Sequence, residues 1–265
     1  MAKLSSKTIS ILLSAFVISA CAGNNNSGAK NADADVVEES TTIQNEPFLQ
    51  IDHVNGLTIY HITEHISLST RPIENENIEL ISSAAFTDSQ GRIVGHYYID
   101  GLDQPYGKNP KDKNVTGGFI TRPYNGTTCK LWDFYADGYE AELANAAKYG
   151  NIISAFAQNI IIYKGVTQDT KWRKNHTFQY RALCELDGEL KIIESENPIP
   201  YNDFVNALSE LHVCNALYLD MGTYNYLWYN LNAGAVEATT EDKIVEVRCA
   251  NYAKISNFIN VYIAD

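Results

Sequence analysis

The stretch Asn215–Thr223 reads NALYLDMGT, and it is the part of this sequence best placed to do chemistry. An apolar run carries Asp220 to its C-terminal end, and Gly222 then turns the chain. A carboxylate delivered in this way faces a cleft and can take up or return a proton there. The plainer alternative is an Asp that caps the turn by accepting nearby N–H groups. Other chemistries find no support. There is no G-x-S-x-G, no Walker loop and no H-E-x-x-H. Asp112 to Gly117 opens like a calcium loop, but Pro123 stands where the bidentate Glu would be. His61 and His65 are four apart in a segment that alternates like a strand. There they share a face, too far apart to hold one metal, and read as a surface pair. No C-x-x-C occurs, so neither a zinc site nor any other metal or cofactor is expected.

The elements that must position Asp220 are mostly strands. Leu57–His61, Ile78–Ile81, Ile93–Ile99, Val213–Leu219, Ile244–Cys249 and Phe258–Ile263 are rich in β formers. Arg181–Leu186 and Glu189–Glu194 flank Asp187-Gly188, a strong hairpin signal. Two helices are expected. Asp137–Tyr149 has a capping-box spacing at its start and Gly150 at its end, with Tyr139, Leu143 and Ala146 on one face. Asn202–Leu211 follows two prolines and buries Phe204, Val205, Leu208 and Leu211. Hairpins mixed with isolated helices make this an α+β fold, a twisted mixed β-sheet core with a few flanking helices, rather than a doubly wound sheet. Val213–Leu219 has no proline and little charge, so it should be a central strand buried on both faces, with Arg181–Leu186 near it.

Read together, these segments resemble the phosphodiester glycosidase family of the mannose 6-phosphate uncovering enzyme and its bacterial relatives. Asn215–Thr223 is similar to that family's N-A-(L/I)-x-L-D-G-G-x-S signature. Arg181–Leu190 resembles its Arg-led strand and D-G hairpin, with a helix leading from there into the Asp strand. Ala157–Gly165 resembles its Gln-led strand. Ala84–Phe86 followed by Gly91–Gly95 resembles its first motif, and Ile255–Ile259 its closing strand. The likeness runs in order over roughly residues 78–263. The departures are specific. Ser82 or Ser83 stands where the family has Asn, Ile-Ile replaces a Gly-Pro after the Gln, and Met221 replaces the first Gly of the turn. The Arg before the closing strand is absent, with Ala253 or Lys254 near its place.

The resemblance implies hydrolysis of a sugar-1-phosphodiester to a free sugar and a phosphomonoester, on wall or capsule glycans. Asp220 would be the catalytic carboxylate. Arg181 would clamp phosphate oxygens, unless strand alternation buries it in an ion pair. Gln158, Asn257 and Thr223 would supply neutral hydrogen bonds at the substrate, beside Gly222 of the turn. Tyr224, Tyr226, Trp228 and Tyr229 offer faces for a sugar ring or, equally, material for a core. A non-catalytic glycan- or partner-binding protein on the same fold is the alternative that the altered motifs leave open.

The first 21 residues are an address. Lys3 and Lys7 precede an apolar run from Ile9 to Ile18, which ends in Ile18-Ser19-Ala20-Cys21. This reads as a bacterial lipobox, with Cys21 as the lipidated residue; the alternative is an ordinary export signal with a chance Cys. The expected organisation is a signal peptide at 1–20, a lipidated Cys21 and polar tether at 21–46, and one domain at 47–265. Ala22 is not the Asp that signals inner-membrane retention, so the expected location is the bacterial outer membrane. The chain has 20 Lys+Arg against 32 Asp+Glu, a net charge of −12. With Lys3 and Lys7 assigned to the leader, the remainder carries −14, which excludes nucleic acid as a partner. Cys129, Cys184, Cys214 and Cys249 read equally as buried thiols or bridges. Mass spectrometry of the native N-terminus is expected to show a diacylated Cys21; a mature chain that starts elsewhere, with Cys21 unmodified, contradicts the lipobox.

Overall fold

The computed structural model describes residues 49–263 except 64, 74–76, 89, 91, 104–105, 109–114, 123–127, 135, 149–152, 170–175, 222–225 and 231–256. The leader, Cys21, the calcium-like loop start at 112–114, Gly222, Thr223, Tyr224, Cys249 and the expected strand Ile244–Cys249 therefore lie outside the described residues. The fold is α+β, as expected: mostly sheet, with helices Tyr139–Lys148 (α1) and Tyr201–Glu210 (α2). Among the described residues no helix is long and apolar enough to cross a membrane.

The largest sheet has seven strands in the order Ile51–Val54, Leu57–His61, Glu189–Ser195, Arg181–Leu186, Asn215–Leu219, Ile160–Tyr163 and Val166–Thr167, all antiparallel. Asn215–Leu219 is an interior strand beside Arg181–Leu186, as its apolar run requires. Alternation along it splits its side chains between two cores. Ala216 and Tyr218 pack with Tyr201, Phe204, Val205 and Leu208 of α2. Leu217 and Leu219 point the other way, into a core with Leu80, Phe119, Phe156 and Ile259 from the remaining sheets. Each side of the strand removes several large apolar side chains from water, at roughly 1.5–3 kcal/mol apiece.

A five-stranded sheet runs Thr128–Asp133, Gly117–Arg122, Ser154–Gln158, Tyr97–Ile99, Leu102–Asp103. A four-stranded sheet runs Leu227–Tyr229, Ile78–Ser83, Phe258–Tyr262, Ile66–Ser69. Both are antiparallel. The one parallel pair among the described residues joins Ile93–Val94 to Tyr106–Lys108. The expected continuous strand Ile93–Ile99 is broken at Gly95, whose φ of 93° no strand residue adopts. The turn at Asp187-Gly188 has φ of 56° and 80°, the primed geometry that matches strand twist. Asn55-Gly56, Asp100-Gly101 and Lys164-Gly165 repeat it. His61 ends its strand and His65 precedes the next, so the alternating segment expected through both is interrupted.

Helix α2 delivers the Asp-bearing strand. His212 takes φ 61° after the last turn, Val213 N–H donates to the Leu208 carbonyl, and His212 N–H donates to that of Ser209. That is a Schellman stop, and Val213 packs with Leu208 beneath it. Val213 therefore belongs to the helix exit, and the strand starts at Asn215.

Glu79 is nearly excluded from solvent on an interior strand of the four-stranded sheet, and its Oε1 has no hydrogen-bond partner. Burial pushes its carboxyl up to about 7, against an ordinary 4.5. The unfolded chain therefore releases this proton at lower pH than the folded one does. The contribution to stability is complete below about 4.5, falls as pH rises toward 7, and then levels off. Thermal melts of wild type and Glu79→Gln at pH 5 and pH 8 should show the wild type losing ground to the variant at the higher pH. A constant difference would contradict the assignment.

Candidate functional site

Four chain segments from three sheets meet at residues 82–87, just past the strand Ile78–Ser83. Asp220 arrives at the end of Asn215–Leu219, Gln158 ends Ser154–Gln158, and Asn257 immediately precedes Phe258–Tyr262. The meeting is built on the backbone of Ala84. Its N–H donates to Asn257 Oδ1 at 3.2 Å, and its carbonyl accepts from Asp220 N–H at 3.0 Å and from Gln158 Nε2 at 3.5 Å. Asp220 grips the same segment twice more. Its carbonyl accepts from Ser83 Oγ at 2.6 Å, and its Oδ2 accepts from Thr87 N–H at 3.0 Å. Asn257 Nδ2 donates to Thr87 Oγ1 at 3.1 Å. Gln158 Oε1 also accepts from Asn159 N–H at 2.8 Å.

Asp220, Asn257 and Gln158 are therefore brought together, as the sequence led one to expect. Gln158 and Asn257 are fully buried and Asp220 is 5% exposed. Their polar atoms are satisfied by backbone and hydroxyl partners, which a buried polar group requires. The Asp220 carboxylate accepts from the Thr87 N–H, which is the plainer of its two sequence readings, and Phe86 and Thr87 beside it are half-buried.

Arg181 is placed otherwise. It is wholly buried, and its guanidinium makes an ion pair with the equally buried Glu194 directly across the hairpin. Nε donates to Glu194 Oε2 at 2.7 Å. Nη1 donates to Ser82 Oγ at 3.1 Å and to the Tyr226 carbonyl at 2.8 Å. Of the two roles that the sequence left open, the structure shows the ion pair. Arg181 holds the floor beneath the Asp220 junction rather than presenting charge at its surface. Tyr226 likewise packs against Phe258 as core, and Tyr229 against Tyr60.

Thr87 and Glu194 are the residues that the motif reading passed over. Glu194 had a signal. A two-residue turn at Asp187-Gly188 sets Leu186 opposite Glu189 and so Arg181 opposite Glu194. Thr87 had none, because nothing in AAFTD marks its hydroxyl. Among the described residues no group of three His, Cys, Asp or Glu could hold a metal. Cys129, Cys184 and Cys214 form no disulfide among the described residues, and Cys184 is sealed in the core, where burial pushes its thiol far up.

A concavity of about 320 Å³ opens at the other end of the Asp220 strand, between Asp137, Tyr163, Lys164, Glu185, Glu189 and Asn215. Its polar groups pair among themselves. Tyr163 Oη donates to Asp137 Oδ1 at 2.5 Å and Asn215 Nδ2 to Glu185 Oε2 at 2.6 Å.

Among the described residues, the fold is one of antiparallel sheets with two helices, and its sheets meet at a buried Asp–Asn–Gln cluster. No family model matches the chain, and no curated protein matches it. Among solved structures it is similar to the catalytic domain of zebrafish N-acetylglucosamine-1-phosphodiester alpha-N-acetylglucosaminidase, auto-inhibited by its pro-peptide. The TM-score is 0.53 at 13% identity, over 83% of this chain and 85% of that one. A hypothetical protein from Synechocystis matches with a TM-score of 0.46 at 10% identity, over 82% of this chain and 61% of that one. At 13% identity the likeness to the zebrafish domain is one of fold.

The Arg181–Glu194 pair is open to test. Glu194→Ala leaves a buried guanidinium uncompensated and should cost about 3–5 kcal/mol of stability. Joint replacement by Arg181→Met and Glu194→Leu should recover most of that loss in denaturant melts. Additive losses in the double variant would contradict the pairing.

Proposed function

We propose that the domain is a phosphodiester glycosidase-like hydrolase that splits a sugar-1-phosphodiester into free sugar and phosphomonoester. Water adds across the bond between the anomeric carbon and the phosphate oxygen; its hydroxyl goes to the carbon and its proton to the departing phosphate. Asp220 would accept and return that proton. The observation that carries the reading is the Asp220 carboxylate at the end of an interior strand, held by Thr87 N–H beside Asn257. The fold, similar to that of the zebrafish enzyme's catalytic domain, supports it. Gln158 and Asn257 would set the shape of the site through Ala84, and Gly222 and Thr223 would bind substrate by the resemblance alone. The substrate would be a glycan of the bacterial envelope. The protein would reach it from a lipid anchor on Cys21 at the outer membrane, consistent with the acidic body and polar tether.

A second reading is favoured by one observation. Arg181 is spent on Glu194 and Ser82, so the phosphate clamp that the resemblance implies is not available from that residue. A non-catalytic glycan- or partner-binding lipoprotein would need no such clamp.

Asp220→Asn separates the readings. An amide oxygen can still accept from Thr87 N–H, so the melting temperature should change by no more than about 2 °C. Hydrolysis of the methyl phosphodiester of N-acetylglucosamine-1-phosphate should fall by about 100-fold or more. Full activity in the variant would place the chemistry elsewhere. A wild type that binds the probe without cleaving it would favour the second reading.

A further inference from the structure

We infer that Thr87 is the ligand-positioning hydroxyl of the Asp220 site, an inference that rests on the proposed glycosyl-phosphate reading. The polar groups of the junction divide sharply by exposure. Gln158, Asn257 and Arg181 are fully buried, and Asp220 nearly so. Thr87 is half-buried. It is the point at which this buried network reaches the surface among the described residues that compose it.

Its bonding leaves one group unspent. A threonine hydroxyl has one donor proton and two acceptor lone pairs. Asn257 Nδ2 donates to Thr87 Oγ1, so that bond occupies a lone pair, and among the described residues no acceptor takes the hydroxyl proton. The backbone N–H of the same residue is committed to Asp220 Oδ2. The geometry therefore offers a neutral donor whose oxygen accepts from a buried amide, on the residue whose own N–H is bonded to the carboxylate. An oxygen that accepts from Thr87 is held next to Asp220. With Arg181 neutralised by Glu194, such a neutral donor is what this junction presents to a non-bridging phosphate oxygen or a sugar hydroxyl. Phe86 lies against Tyr218 on one side of it and gives the same surface an aromatic edge.

Thr87→Val keeps the branched shape and the backbone N–H but removes the hydroxyl; Thr87→Ser restores it. The probe is the methyl phosphodiester of N-acetylglucosamine-1-phosphate. Thr87→Val should raise KM about tenfold, the worth of one good hydrogen bond, with kcat within about threefold, since the contact is to a non-reacting oxygen. Thr87→Ser should stay within about twofold of wild type in both. Thr87→Val should also melt a few degrees lower, because Asn257 Nδ2 loses its acceptor. Should that variant not fold, Thr87→Ala leaves room for a water to serve Asn257 and should show the same rise in KM. A lowered melting temperature with KM unchanged would make Thr87 purely structural and overturn the inference while leaving the hydrolase reading intact. A wild type that neither cleaves nor binds the probe would overturn the hydrolase reading, and this inference with it.

Discussion

The architecture depends on satisfying one buried stretch of backbone. Where three antiparallel sheets meet, the chain must leave the strand Ile78–Ser83 without a ladder partner for Ala84, and no water can serve it there. An unpaired buried amide and carbonyl would cost several kcal/mol between them. Asn257 takes the N–H, and Asp220 and Gln158 take the carbonyl. Each comes from a different strand end, so the junction forms only when all three sheets are in place. That requirement ties the seven-, five- and four-stranded sheets to one another more specifically than apolar packing could.

The Arg181–Glu194 pair lies directly below. Burying an ion pair is seldom a net gain in stability compared with an apolar pair of the same shape. Its value here is directional. The guanidinium is planar and must place its remaining donors, and it does so on Ser82 Oγ and the Tyr226 carbonyl, on the strand that leads into Ala84. The cation thus fixes the approach of one sheet to another, and its charge is cancelled before it reaches the surface. Above it, the Asp220 carboxylate lies nearly buried with the amides of Gln158 and Asn257, and Thr87 is half-buried.

Three features of the junction follow from the same layering. The carboxylate is rigid, because both its backbone groups and one side-chain oxygen are bonded to residues 83–87. The neutral amides Gln158 and Asn257 act through Ala84 and Thr87 and are shielded from direct contact with solvent. Thr87 is the residue through which the buried network meets what lies outside.

Much of this was legible in the residues themselves. The interior strand carrying Asp220 could be read from an apolar run without proline, and α2 from its 3.6-residue stripe, because local periodicity reports which faces are buried. The register of Arg181–Leu186 with Glu189–Ser195 was also determined locally, since a two-residue turn at Asp187-Gly188 admits one pairing; Glu194 opposite Arg181 was therefore implicit in the spacing. What only the tertiary structure decided was depth and company. Nothing local says that Arg181 faces a sealed interior rather than a cleft, because that depends on a strand about 100 residues earlier in the chain covering it, Ser82 having been brought there by sheet packing. Nor does any pattern mark Thr87, which owes its role to Asn257, 170 residues away. Short-range order follows from periodicity and turn chemistry; the assignment of each polar group to floor, wall or surface follows from long-range contacts that close only when the sheets assemble.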